Sequence, residues 1–329
     1  MALADSTIAD RVSVLSDGIR LCKRLITLYC RRLPLDWAAW EHLSNLSSLL
    51  TLTTHMDNVV PSPSDFNNIT LGPFLNLTTL SFQAHTAAYF TILMQYSEFP
   101  SLKKIGLNFS LLPLADAERL FHALSQCKAC QTLEHVNIQG FGPGNLNSDS
   151  SWTAITQFRC PQLRTLILRF PGCLIHLDNG HLLKAMSCWP QIRFLALEDL
   201  RYREATITFH GLLTALRQCP LLKDLSLLIN MVNLDVDPTA ESLRNTSLQT
   251  WDVRSAEVVD AEAVARVIFS LLPRFASSYI NSPPSRFRYA SVWDNVWNHL
   301  RRFKSSPVLD CQDEDEDAEI WTCLQNTLC

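Results

Sequence analysis

The chain has 329 residues, a net charge of −4 and only 18% charged residues, so it lacks the basic excess typical of nucleic-acid-binding domains. Residues 1–18 include Asp5, Asp10, Arg11 and Asp17 and no sustained apolar run, which predicts no signal peptide, and no apolar run reaches the roughly eighteen residues of a membrane span. We therefore expect an intracellular protein, cytoplasmic or nuclear, with no membrane partner.

One spacing recurs about every thirty residues, with leucine or a similar residue at positions 0, +3 and +5. Two weaker copies come first: Leu25-Leu28-Cys30 and Leu46-Leu49-Thr51. Seven clear copies follow: Leu77-Leu80-Phe82, Leu102-Ile105-Leu107, Leu133-Val136-Ile138, Leu163-Leu166-Leu168, Ile192-Leu195-Leu197, Leu222-Leu225-Leu227 and Leu248-Trp251-Val253. Because side chains alternate along a strand, the +3 and +5 residues of each copy are expected to face one core.

A second column of residues stands three positions before each copy. It is apolar or sulfhydryl until Asn245 interrupts it, and it reads Cys22, Leu43, Phe74, Phe99, Cys130, Cys160, Trp189, Cys219. Proline follows directly at Pro100, Pro161, Pro190 and Pro220. Since proline lacks a backbone donor, we expect it to end the preceding helix and turn the chain into the strand.

Helical periodicity separates the copies. The predicted helices are Ala87–Tyr96, Asp116–Gln126, Ser151–Phe158, His181–Cys188, His210–Arg217 and Ala261–Leu272. Asp116, Asp178 and Asp260 are expected as helix-capping residues. Strand and helix in repeated alternation predict an α/β solenoid of about nine irregular repeats, with a curved parallel sheet inside and helices outside.

The repeat signature resembles the long type of leucine-rich repeat, and in particular the repeat region of fungal F-box/leucine-rich repeat proteins. The segments that carry the resemblance are Cys160-Pro161-Gln162-Leu163-Arg164-Thr165-Leu166-Ile167-Leu168 and Cys219-Pro220-Leu221-Leu222-Lys223-Asp224-Leu225-Ser226-Leu227. The resemblance covers about residues 20 to 280. It implies a substrate receptor of an SCF-type ubiquitin ligase, but we find no F-box, and Leu33-Pro34-Leu35 is better explained as a turn between two repeats.

The sequence divides into four parts. Residues 1–20 are expected as an N-terminal cap, 21–280 as the repeat solenoid, 281–309 as a linker and cap helix, and 310–329 as an acidic, disordered tail. The cap helix is predicted over Tyr289–Phe303, because its apolar residues fall on one stripe. Its basic residues precede an acidic run at Asp310 and Asp313–Asp317, which favours pairing between the two over contact with nucleic acid.

Solenoids bind partners with the exposed side chains of the inner sheet. Those side chains are expected at positions +2, +4 and +6 of each copy, and the central copies combine aliphatic, aromatic and arginine residues of the kind found in binding hot spots. The candidate partner-binding residues of this concave face are His135, Asn137, Gln139, Ile167, Arg169, Phe194, Glu198 and Asp224. The alternative is that these are ordinary solvated strand positions.

Catalytic and cofactor signatures do not occur in the sequence: there is no phosphate-binding glycine motif, no paired-histidine zinc motif and no nucleophile elbow. We expect no enzyme activity, no cofactor and no metal. Cys127-Lys128-Ala129-Cys130 is a single pair without a second pair at zinc-like spacing. His176, Asp178 and His181 lie close in sequence and fit turn and cap chemistry better than metal binding.

The sequence therefore favours a non-enzymatic scaffold with a protein partner on the concave face. A Skp-type adaptor is expected only if an F-box lies upstream of this sequence. Two alternatives stay open, a free-standing leucine-rich repeat scaffold without a ligase and a nucleic-acid- or chromatin-associated protein that uses the basic residues Arg286, Arg288, Arg301, Arg302 and Lys304.

Overall fold

The computed structural model describes residues 2–30, 33–56, 71–141, 153–170, 177–198, 206–232, 234–239, 241–253, 258–281 and 290–305. Within these ranges the chain is an α/β protein with one nine-stranded sheet. All neighbouring strands are parallel and follow one another in chain order. The expected parallel α/β architecture is therefore confirmed.

The strands are short and the helices lie between them in sequence. The strands are β1 (Thr27–Cys30), β2 (Thr51–Met56), β3 (Thr79–Ala84), β4 (Lys104–Phe109), β5 (His135–Gly140), β6 (Thr165–Arg169), β7 (Phe194–Glu198), β8 (Asp224–Ser226) and β9 (Thr250–Asp252). The helices are α1 (Ala2–Leu21), α2 (Trp37–Ser44), α3 (Ala88–Tyr96), α4 (Leu114–Gln126), α5 (Asn179–Met186), α6 (Phe209–Leu216), α7 (Ala261–Leu271), α8 (Pro273–Asn281) and α9 (Ala290–Ser305).

The register of the sheet aligns the +3 residues of the repeat in one row across seven strands. From β3 to β9 this row reads Leu80, Ile105, Val136, Leu166, Leu195, Leu225, Trp251. None of these side chains is more than 3% exposed. Apolar side chains of the helices, such as Leu93, Leu182 and Leu212, join the row in one continuous core. Each repeat thus buries its apolar residues against its neighbours.

The second copy of the repeat lies three residues later than predicted. Leu52 pairs in register with Leu28 and Leu80, so the copy is Leu49-Leu52-Thr54 and not Leu46-Leu49-Thr51. Leucine recurs here at every third position from residue 43 to residue 52, and this periodicity fits both alignments. The pairing of β2 with its two neighbours selects one of them.

The residue three positions before each copy begins a tight turn. Its carbonyl oxygen accepts a hydrogen bond from the amide of the leading residue of the copy. The amide of Leu163 lies 3.1 Å from the carbonyl oxygen of Cys160, and that of Leu222 lies 3.1 Å from that of Cys219. Proline stands at the second position of both turns, where its fixed φ is favourable. The predicted burial of this column holds from Phe74 to Cys219 but is wrong for Cys22, which is exposed.

Asn245 interrupts the apolar column with a specific hydrogen-bonding role. Its side-chain oxygen accepts the backbone amides of Ser247 at 3.1 Å and Leu248 at 3.0 Å. Its own amide donates to the carbonyl of Leu271 at 2.8 Å. Asn245 is only 8% exposed, so it fixes the turn into β9 and joins that turn to the end of α7.

The helices follow the prediction in part. Asp178 and Asp260 cap α5 and α7 by accepting the amides of His181 and Ala263. Asp116 is not a cap, because α4 begins earlier, after Pro113. The helix predicted over 151–158 is only a short 3₁₀ segment at Thr153–Gln157, and α2 was not predicted. None of the helices in the described ranges is long and apolar enough to cross a membrane.

The helix α9 packs against α7 beyond β9, the last strand of the sheet. Trp293, Val296 and Leu300 are at most 2% exposed, and the ring of Phe303 lies 5.8 Å from that of Phe269. Their spacing of three and four residues is the apolar stripe of an amphipathic helix. Of the linker predicted at residues 281–285, Asn281 is the last residue of α8. The rest of that linker, Arg286, Arg288 and the acidic tail lie outside the described residues.

Leu195→Ala should lower the free energy of unfolding by about 2 to 5 kcal/mol, because it opens a cavity in the buried row. Leu75→Ala is the matched control, since Leu75 is 53% exposed and its loss should cost less than about 0.5 kcal/mol. Urea unfolding followed by circular dichroism measures both. Equal losses for the two variants would contradict the assignment of Leu195 to the core.

Candidate functional site

The candidate site is the face of the sheet that points away from the core. We call it the open face and define it by the alternate side chains of β5 to β8. Its residues are His135, Asn137, Gln139, Thr165, Ile167, Arg169, Phe194, Ala196, Glu198, Asp224 and Ser226. Parallel pairing places residues of successive repeats side by side on this face. All eight residues predicted from the sequence therefore lie on one continuous surface.

The middle row of the open face is buried in its centre. Ala196 lies in register between Ile167 and Ser226, and these three residues are 0%, 7% and 8% exposed, respectively. Ile167 was expected to project as an anchor for a partner. In the structure its side chain is instead buried by the side chains around it. Accessible contacts on these strands must come from the rows on either side.

Arg169 and Glu198 form an ion pair across β6 and β7. Arg169 Nε lies 3.1 Å from one carboxylate oxygen of Glu198, and Nη2 lies 3.3 Å from the other. Two parallel hydrogen bonds of this kind fix the guanidinium plane. The side chain of Glu198 is only 13% exposed, against 39% for Arg169, so the arginine presents an oriented, partly neutralised surface.

His135, at the other end of the strands, is held by its neighbour. Its Nδ1 lies 3.1 Å from Thr165 Oγ1, the residue in register on β6. Burial lowers the pKa of His135, and the positive charge of Lys104 lowers it further. Because the ordinary pKa of histidine is already below 7, His135 is neutral at physiological pH and provides a polar contact without charge.

The other polar residues of the open face also bond to near neighbours. Gln139 donates to Asn137 Oδ1 at 3.3 Å on the same strand, and the hydroxyl of Thr250 on β9 donates to Asp224. Phe194 is partly buried and stands in register between Thr165 and Asp224. The open face is therefore a preorganised surface in which one aromatic ring lies among fixed polar groups.

A group that the sequence analysis did not single out lies where the strands begin. Glu134 accepts from Lys103 at 3.2 Å and lies 3.5 Å from Arg164. The hydrogen bond from Lys103 lowers the pKa of Glu134. These residues are about thirty positions apart in sequence, so only the repeat spacing could have suggested their contact.

The remaining candidates for chemistry have structural roles. Asp178 caps α5 and lies 2.9 Å from His181 Nδ1, while His176 lies outside the described residues. Cys130 is buried and packs its sulfur 2.6 Å from that of Cys160. Burial raises the pKa of Cys127 and that of Cys160, which keeps both as thiols. No cluster of three metal-binding side chains occurs among the residues the structure describes.

No protein-family model matches the chain, and no curated protein gives a significant match. The site must therefore be interpreted from its own geometry.

The Arg169–Glu198 pair should be a measurable stabilising contact. A double-mutant cycle with Arg169→Met and Glu198→Gln should give a coupling energy of about 1 kcal/mol, because the carboxylate is mostly covered. The matched control is the Arg266–Glu262 pair of α7, whose side chains are 59% and 52% exposed and which should couple by about 0.3 to 0.5 kcal/mol. Urea unfolding measures both cycles, and a smaller coupling at Arg169–Glu198 than at the control would show that the pair is not fixed in solution.

Proposed function

We propose that the chain is a leucine-rich repeat solenoid of about nine irregular repeats and that it binds a protein partner on the open face. The repeat spacing and the row of in-register apolar residues support this interpretation. The sheet provides a rigid support for exposed side chains, which lowers the entropy lost on binding.

The observation that carries the proposal is the composition of the open face around Phe194. A partly exposed aromatic ring stands two rows from an oriented arginine, across the buried middle row, and polar residues that bond to near neighbours border both. Aromatic and arginine side chains dominate the binding energy of protein interfaces. Surrounding polar residues that already bond to one another need little rearrangement when a partner docks.

We propose a binding role and not a catalytic one. The titratable residues of this face are engaged with neighbouring side chains: Arg169 with Glu198, His135 with Thr165, and Asp224 with Thr250. A general base or nucleophile needs a free reactive atom directed at a substrate. Here the side chains instead contribute shape and hydrogen-bonding capacity to a surface.

A more specific proposal rests on the resemblance alone. The repeat signatures are similar to those of F-box/leucine-rich repeat proteins, which implies a substrate receptor for an SCF-type ubiquitin ligase. The element that would bind a Skp-type adaptor is not identified in this sequence. Leu33-Pro34-Leu35 lies between β1 and α2, and Leu35 belongs to the core.

Phe194→Ala should reduce partner capture by about 30-fold, which corresponds to the 2 kcal/mol of a hot-spot residue. The experiment is affinity purification of the tagged full-length chain from its native organism, with quantitative mass spectrometry of the bound proteins. Tyr96→Ala is the matched control, because Tyr96 is 47% exposed and stands at the end of the helix α3, not on a strand of the open face. Both variants should keep the unfolding temperature of the wild type.

Unchanged capture by Phe194→Ala would reject the open face as the binding surface. Loss of the same proteins in both variants would also reject it. A Skp-type adaptor that co-purifies with wild type and with Phe194→Ala would support the ligase proposal, since the adaptor should bind elsewhere. Its absence from a purification that captures partners would contradict the ligase link and favour a free-standing scaffold.

A further inference from the structure

Three cations occupy successive rungs at the edge where the strands begin. The amide of Arg193 donates to the carbonyl of Arg164 at 2.8 Å, and the amide of Lys223 donates to that of Arg193 at 2.9 Å. Neighbouring rungs of a sheet are about 4.8 Å apart. All three side chains are exposed. We call Arg164, Arg193 and Lys223 the basic ladder.

Like charges on adjacent strands repel, so a ladder of three cations is unfavourable without counter-charges. Glu134 lies 3.5 Å from Arg164 and reduces the charge repulsion at the Arg164 end of the ladder. No ion pair involves Arg193 or Lys223 among the residues that the structure describes. The uncompensated positive charge is therefore concentrated at the end of the ladder nearest β9.

The C-terminal helix ends near that same edge. The helix α7 runs back from the far ends of the strands and ends at Leu271. The carbonyl of Leu271 accepts a hydrogen bond from the amide of Asn245, which lies just before β9. The rings of Phe303 and Phe269 place the end of α9 beside the end of α7. Gln249, four residues after Asn245, donates to the carbonyl of Lys223 at 2.8 Å. The chain after Ser305 therefore continues from the side of the sheet that carries the ladder.

The sequence after Ser305 is acidic and is therefore opposite in charge to the basic ladder. Asp310 and Asp313–Asp317 follow within twelve residues, and an extended chain reaches about 3.3 to 3.6 Å per residue. The eight residues from Ser305 to Asp313 can thus span up to about 26 to 29 Å, several rungs of the sheet. The six carboxylates at positions 310 and 313–317 outnumber the three cations of α9, Arg301, Arg302 and Lys304, so carboxylates remain for a second basic group.

We propose that the acidic segment Asp310–Asp317 of this chain binds along the basic ladder at Arg193 and Lys223. The segment then covers the start of β7 and β8, next to Phe194 and Asp224 on the open face. It would act as an internal competitor for any partner that approaches this end of the open face. Exposed ion pairs are screened by salt, so the contact should open as ionic strength rises.

The test is zero-length carbodiimide cross-linking of the full chain, because this reagent joins a lysine amine to a carboxylate only at direct contact. At low salt, Lys223 should be joined to the segment Asp313–Asp317 at least about tenfold more often than Lys184, the exposed control lysine on α5. Mass spectrometry of the digested monomer counts both products. One molar sodium chloride should reduce the Lys223 product to the level of the control.

A charge reversal on the neighbouring rung separates binding from chance proximity. Arg193→Glu should lower the Lys223 product at least about fivefold, because it places a repelling carboxylate on the ladder. Lys184→Glu makes the same change of net charge on α5 and should leave the product unchanged. Both variants should unfold at the temperature of the wild type, since both positions are exposed.

Three results would overturn the proposal. Equal cross-linking of Lys223 and Lys184 would show that the ladder has no preference for the acidic segment. Products at Lys304 without products at Lys223 would show that the segment stays on α9. Products that join a ¹⁵N-labelled chain to an unlabelled one, in a mixture of the two, would show that the segment binds a second copy and not its own chain.

Discussion

Parallel pairing in register is the interaction on which the rest of this structure depends. It places Leu166, Leu195 and Leu225 on successive rungs of one sheet, and each repeat covers the apolar residues of the next. A single strand with its helix has too little apolar surface to fold by itself. Stability is therefore shared along the chain, and a cavity at one rung affects contacts that come from three repeats.

The same register organises the polar residues. Residues of adjacent repeats that are far apart in sequence meet directly on the open face, as Arg169 meets Glu198 and His135 meets Thr165. These pairs fix side chains on a rigid support, which is the property that a binding surface needs. The core and the proposed partner surface are thus two faces of one repeated pairing, and a shift of register would disrupt both together.

Two regions show what the repeat spacing alone can and cannot predict. Around β2, leucines at every third position allow two alignments, and only the pairing with β1 and β3 selects Leu49-Leu52-Thr54. At Asn245 the spacing indicated an interruption but not its reason, which is a hydrogen-bonded turn shared with Leu271. In both places the deciding contacts come from residues that are distant in sequence.

The amino-acid sequence by itself determined the order of the strands and, from β3 to β9, the residues that face the core, because side-chain alternation within a strand is a local property that a short spacing records. It also determined which eight side chains share the open face. Tertiary structure alone decided which of these are accessible: Ile167 is buried between Ala196 and its other neighbours, and Arg169 is paired. The repeat spacing also aligns Arg164, Arg193 and Lys223, each directly after the leading residue of its copy, but only the tertiary structure decided that all three are exposed and that Glu134 lies beside Arg164, because exposure and pairing depend on how the repeats stack.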